Sequence, residues 1–279
     1  MFLALLLFVQ LLFAFSSGSK WKYTHDNKPW HEGQCELTDR QSPIKLVQTG
    51  QCDPLLQPIV IRNIRSIVPL SAVNNGHALQ VQAIPGHNLD RLHVDIDGTK
   101  YRLKQFHFHW KGGPYSAQGS EHELDGKFYD AEMHMVFADP DSEVDGVHDK
   151  YAVLGFLIQA NRRRDNHAFR KIFGIGLSSL QSSQDDIAHS QKRVASGWMR
   201  IGDLLDHVDM GDYYRYEGSL TTPPCSENVK WTVFREPLRI SHHQLRQLQS
   251  LPVIGRIGNY REAFDATADN KVEFSCVKQ

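Results

Sequence analysis

Short runs in which apolar and polar residues alternate recur along this chain, and a two-residue period marks strands buried on one face. They are Ala78 to Ala83, Leu92 to Ile96, Gln105 to Trp110, Ala131 to Phe137 and Val229 to Phe234. Val153 to Ile158 is continuously apolar, as befits a strand covered on both faces. Helical patterns are fewer and short. Asn166 to Ile172 and Ser241 to Gln249 are the best, the second with Ser241 placed as its N-cap. No repeat, low-complexity segment or long Pro/Gly/Ser linker divides the chain. Its 279 residues, 41% of them hydrophobic, suffice for one full core. The pattern predicts a mainly β (α+β) single domain: a large sheet with peripheral short helices and long loops.

The first residues read as a leader. Phe2 to Phe15 is apolar except for Gln10, and Ser16-Ser17-Gly18-Ser19 follows. The run is too short to span a bilayer and has the form of a signal-peptide core with a cleavage site. The expected division is a signal peptide over 1–18 and a secreted, extracellular domain over 19–279; a signal anchor is the alternative on this pattern. No second apolar run of spanning length occurs, and the polar ending Glu273 to Gln279 does not suit a lipid-anchor signal, so no membrane anchor is expected. The 31 basic and 32 acidic side chains form no charge run, which argues against nucleic acid as a partner. Cys35, Cys52, Cys225 and Cys276 form an even set, as two disulfides would. All three pairings stay open on the sequence, as does the option of buried thiols.

Chemistry enters at Gln105-Phe106-His107-Phe108-His109-Trp110. In a strand, Phe106, Phe108 and Trp110 share the core face, while Gln105, His107 and His109 share the other. Imidazoles two residues apart stand roughly 7 Å apart along the backbone and can converge on one ion. In Ala131-Glu132-Met133-His134-Met135-Val136 the same alternation separates Met133 and Met135 from Glu132, His134 and Val136. Antiparallel pairing of the two strands would let His134 complete a three-histidine site. Glu132, two residues away on the same face, is placed to accept the ring N–H of a ligating histidine. Three nitrogen ligands leave a fourth tetrahedral position for water, the arrangement of a catalytic zinc site.

With these residues in view, the chain resembles the α-class carbonic anhydrases. The resemblance runs from Trp21 to about Phe274 and rests on several ordered motifs. They are Gln41-Ser42-Pro43-Ile44, Asn74-Asn75-Gly76-His77, Gln105 to Trp110, Gly119-Ser120-Glu121-His122, Ala131 to His134, Ala152-Val153-Leu154-Gly155, Gly218 to Cys225 and Asn259-Tyr260-Arg261. It implies the family's mostly antiparallel, twisted sheet and a reversible hydration of carbon dioxide to bicarbonate by a zinc-bound hydroxide. Acidification of zinc-bound water is a behaviour established on carbonic anhydrases themselves.

By this resemblance His107, His109 and His134 are the zinc ligands. Gln105, Glu132 and the carbonyl of Asn259 are the acceptors behind them. Thr221 takes a hydrogen bond from the hydroxide and donates to Glu121. His77 is the proton shuttle, with Tyr23 and Asn75 along its path and Thr222 at the polar edge of the substrate pocket. Val136, Val153, Leu220, Val229 and Trp231 form the apolar wall, suited to a small apolar substrate. Sulfonamide- or anion-type inhibitors are expected at zinc. Cys35 and Cys225 match the pair bridged in secreted members; Cys52 and Cys276 are a suggested second bridge. The rival implied by the family is a catalytically weak extracellular binding or mineral-associated protein, but such relatives typically lose a zinc ligand. The departures are Phe137-Ala138 after the third ligand, Tyr214, Glu217, and Lys104 and Gln80 at the pocket rim.

Overall fold

Ten strands join into one sheet. In chain order they are β1 Ile67–Asn74, β2 Leu79–Ala83, β3 His93–Ile96, β4 Thr99–Trp110, β5 Ala131–Ala138, β6 Tyr151–Asn161, β7 Val194–Arg200, β8 Tyr213–Gly218, β9 Val229–Ser241 and β10 Glu273–Phe274. Across the sheet they run β7-β1-β2-β4-β5-β6-β9-β8-β10, with β3 beside the first residues of β4. Every pairing is antiparallel except β6 with β9. This computed structural model describes residues 21–23, 30–84, 86–112, 118–144, 147–148, 150–161, 165–174, 194–251 and 258–276. The leader over 1–18 lies outside them. Among the described residues strand makes up 42% and helix 12%, as the alternating runs predict.

Among the described residues two α-helices pack at the margins, α1 His167–Gly174 and α2 His242–Gln249. Ser241 caps α2 as expected: its hydroxyl accepts from the Gln244 backbone while the Gln244 side chain accepts from the Ser241 N–H. Among the described residues no helix is long and apolar enough to cross a membrane.

The sheet separates two apolar clusters. The larger gathers Phe106, Phe108, Trp110, Met133, Met135, Leu154 and Phe156; the smaller holds Val153, Leu157, Tyr214, Tyr216, Val229, Trp231 and Val233. Strand β6 feeds both in alternation, which is why its sequence is continuously apolar.

Strand β4 changes phase part-way. Tyr101 and Leu103, then Phe106, Phe108 and Trp110, all belong to the larger cluster. Odd positions give way to even ones because Leu103 pairs with Phe137 and Gln105 with Val136, leaving Lys104 as an extra residue. Such a bulge re-aims every side chain beyond it. Here it turns Gln105, His107 and His109 to the face of the smaller cluster.

Two disulfides close the fold, Cys35–Cys225 and Cys52–Cys276. The second stands beside a bridge between Asp53 and Ser275 and ties the C-terminal strand to the early chain. Its ends are 224 residues apart, so it removes much freedom from the unfolded chain. Replacing Cys52 and Cys276 together with Ala is expected to lower unfolding free energy by about 2–5 kcal/mol in denaturant titrations. An unchanged midpoint and slope would contradict this.

Candidate metal centre

Pairing of β4 with β5 sets His107 directly opposite His134, and His109 opposite Glu132. Ring centroids lie 4.8 Å apart for His107 and His109, 5.3 Å for His107 and His134, and 4.5 Å for His109 and His134. One nitrogen of each ring lies within 4.8 Å of the other two.

The remaining nitrogens are committed elsewhere. His107 Nδ1 donates to Gln105 Oε1 at 2.9 Å, and His109 Nδ1 to the Asn259 carbonyl at 2.6 Å. His134 Nε2 donates to Glu132 Oε1 at 2.9 Å. Each tautomer is thereby fixed, with Nε2 of His107 and His109 and Nδ1 of His134 left as acceptors. His109 Nε2 is buried without any hydrogen-bond partner, a costly state for a polar atom that a bound cation would relieve. Burial, followed by the neighbouring imidazoles, holds His107 well below the usual histidine range; the same causes lower His109 to about 3. Burial also lowers His134. The rings are therefore neutral, the form a metal requires. Three convergent imidazole nitrogens fit zinc.

Glu132 anchors this arrangement. It is fully buried and accepts four hydrogen bonds: from His122 Nδ1 at 2.7 Å and His134 Nε2 at 2.9 Å on Oε1, and from the backbone N–H of Glu121 at 2.9 Å and of His122 at 2.8 Å on Oε2. Burial alone would raise its pKa, but His122 and His134 carry it well below the carboxylate range. Gly155, opposite His134 on β6, leaves it room, since a Cβ there would stand 3.2 Å from Glu132 Oε1.

His122 extends the chain of bonds, with Nε2 2.7 Å from the Tyr216 hydroxyl, which donates to Ser42 Oγ at 2.9 Å. Sequence reading quoted His122 and Ser42 within motifs but gave neither a role. Their partners lie up to 219 residues away, and no local period marks them.

Glu121 is also fully buried. Its Oε1 accepts from the Arg261 N–H at 2.7 Å, while Oε2 has no hydrogen-bond partner of good geometry. Burial and then Glu132 raise its pKa well above the usual range; the Arg261 N–H and the nearby Thr221 hydroxyl oppose that rise. Thr221 is thus beside Glu121, where the sequence reading puts it. The following residues are tied down by the Cys35–Cys225 bridge and by Cys225 N–H donating to the Thr222 carbonyl at 2.9 Å.

Asn259 does more than its carbonyl suggests. Its side-chain oxygen accepts from the Trp110 N–H at 2.8 Å, and its amide donates to the carbonyls of His77 at 2.9 Å and Phe108 at 2.8 Å. One residue thus joins β4, His109 and the His77 turn. Within that turn Asn75 Oδ1 accepts from the N–H groups of His77 and Ala78.

The His77 ring stacks on Trp21, centroids 3.8 Å apart at 16°. Its Nδ1 is buried without a partner, and burial lowers the ring's pKa to about 4. Tyr23 lies 6.4 Å from it, its own hydroxyl buried and its pKa pushed well up by burial. In this orientation His77 is a weak base at neutral pH.

The apolar residues gather as expected. Val153, Val229 and Trp231 are buried in the smaller cluster, with Val136 and Leu220 half-buried against it. Trp231 packs 4.8 Å from His134, and its indole N–H donates to the Ser219 carbonyl. Thr222 is half-buried.

Residues 24–262 match the family model of eukaryotic-type carbonic anhydrases. The chain belongs to the α-class carbonic anhydrases. Carbonic anhydrase 7 of Mus musculus is 33% identical over 243 residues, 83% of this chain and 85% of that protein. Carbonic anhydrase 6 of Canis lupus familiaris is 34% identical over 265 residues, 89% and 77% of the respective chains. Carbonic anhydrase 3 of Rattus norvegicus is 33% identical over 260 residues, 87% and 93%. Carbonic anhydrases as a family act on carbon dioxide and bicarbonate and typically bind zinc.

Two outcomes follow from this geometry. Glu132→Gln is expected to weaken zinc binding about 10–100-fold in chelator competition, because His134 loses a charged acceptor; unchanged affinity would contradict it. Trp21→Ala should move the His77 titration, followed by NMR, from about 4 up toward the ordinary histidine value as burial is relieved. A titration that stays put would show that Trp21 does not set it.

Proposed function

We propose that this chain is a secreted, zinc-dependent carbonic anhydrase that reversibly hydrates carbon dioxide to bicarbonate and a proton. The observation that carries the reading is the buried, partnerless Nε2 of His109 beside two other imidazoles whose far nitrogens are all engaged. His107, His109 and His134 would hold the zinc, with Gln105, Glu132 and the Asn259 carbonyl orienting them. Zinc in such a site acidifies the water on its open position and so supplies the nucleophile.

This chain's residues do the rest. Val136, Val153, Leu220, Val229 and Trp231 bind the apolar substrate and exclude bulk water, with Thr222 at the polar edge. Thr221 accepts a hydrogen bond from the nucleophile and passes its own proton's bond to Glu121. That role needs Glu121 ionised; burial and then Glu132 oppose that state, while the Arg261 N–H and Thr221 act in its favour. Sulfonamides and small anions would compete at the same place.

His77 would carry the proton to solvent past Tyr23 and Asn75. Stacked on Trp21 it is too weak a base, so acceptance requires it to turn toward water, where an imidazole regains its ordinary basicity. The two disulfides suit an oxidising, extracellular setting. The apolar leader over 1–18 supplies the route, and 19–279 forms the catalytic domain.

Stopped-flow hydration with metal analysis tests the proposal. His107→Ala should lose both stoichiometric zinc and activity; a variant that keeps one zinc per chain would refute the ligand role. His77→Ala should slow turnover in weak buffer, leave kcat/KM largely intact, and be rescued by added imidazole. Turnover indifferent to buffer would show that the proton leaves by another route.

A further inference from the structure

The side of the sheet that carries the histidines also carries a group of unpaired arginines at its far end. Arg62 bridges to His93, and His93 pairs with Arg102 across β3 and β4. Residues directly opposite on neighbouring strands share a face. These three form a row, turned away from the larger cluster that takes Val94, Ile96, Tyr101 and Leu103. Arg62 and Arg65 lie on the turn before β1, where Asn63 Nδ2 donates to the Arg91 carbonyl at 2.9 Å. Arg200 pairs with Ile67 at the start of β1.

Among the described residues, Arg62, Arg65, Arg91, Arg102 and Arg200 have no side-chain hydrogen bond, ion pair or ring contact; elsewhere only Arg246 shares that state. Arg62, Arg65, Arg91 and Arg200 are exposed, and Arg102 is half-buried. The nearby acids Asp90 and Asp95 form no ion pair with them. Such a gathering stands out on a chain whose net charge is −1.

Trp198 adds a second kind of contact. It lies two residues before Arg200 on β7, hence on the same face, and is 64% exposed. Pro69 stands opposite it and His87 lies against it at 6.2 Å. A large exposed aromatic beside fixed positive charge suits a ligand with a flat apolar face and attached anions. In an oxidising compartment, which the two disulfides suit, the matching polymer is a sulfated polysaccharide. Its sugar ring can lie on Trp198 while sulfate esters meet the guanidinium groups bidentately.

We propose that Arg62, Arg65, Arg91, Arg102, Arg200 and Trp198 form a docking surface for a sulfated polysaccharide, separate from the metal centre. Arg102 is five residues along β4 from His107, roughly 16 Å at the strand rise, so a bound chain leaves the site open.

Calorimetric titration of the full chain with a size-defined heparin oligosaccharide tests this. Saturable binding is expected at about 50 mM salt, weakening steeply by about 200 mM as counterions are released. The combined variant R62Q, R65Q and R91Q should bind at least about tenfold more weakly, with unchanged melting temperature and carbon dioxide hydration. Trp198→Ala should bind about threefold to tenfold more weakly at the higher salt, where stacking carries more of the affinity. Absence of saturable binding, or a combined variant that binds like wild type, would overturn the proposal. So would equal competition by inorganic sulfate at matched sulfate concentration, which would mark a site for the small ion alone. Tighter binding of a single-stranded oligonucleotide of equal charge would assign the surface to nucleic acid instead.

Discussion

A carboxylate sealed away from water is tolerable only when its lone pairs are filled, and Glu132 fills all four. Two backbone N–H groups hold the Glu121–His122 segment against it. His122 links it to Tyr216 and Ser42, while His134 takes its tautomer and direction from it. The same segment places Glu121, so one buried charge fixes both a proposed metal ligand and the acceptor proposed for Thr221. Loss of that charge would leave donors unpaired on three sides, and buried unpaired donors are more costly than the bonds they made.

Beneath that interaction lies a matter of phase. His107 and His109 face His134 because an extra residue, Lys104, shifts the alternation of β4. Residues before it send odd positions to the larger cluster, and residues after it send even ones. Phe106, Phe108 and Trp110 then lock the new phase, because a slip of one residue would expose three large rings and bury polar imidazoles. The apolar anchors and the metal-facing histidines are two halves of one pattern.

Much of this was legible in the chain. The aromatic–histidine alternation gave the facing of Gln105, His107 and His109, and Glu132 with His134 gave the matching strand. Less legible was whatever depends on distant partners. Strand β8 lacks a clean period because Tyr213 serves one cluster while Tyr214 and Tyr216 serve the other. The bulge at Lys104 has no local signal, since a charged residue in a strand reads simply as a solvent-facing one. The Asn259 side chain reaches His77 across 182 residues. The cysteine count left all three pairings open, and the bridges formed, Cys35–Cys225 and Cys52–Cys276, are the ones suggested once the family resemblance was in view. The stacking of His77 on Trp21, which leaves it a weak base, depends on packing that spacing does not reveal.

The central claim is that three imidazoles hold zinc and leave one position to solvent. X-ray absorption at the zinc edge on the purified protein addresses it most directly. The account predicts one zinc per chain with three imidazole nitrogens at about 2.0–2.1 Å and a single exchangeable oxygen. A fourth protein ligand, sulfur in the coordination shell, or a chain that takes up no zinc would contradict it.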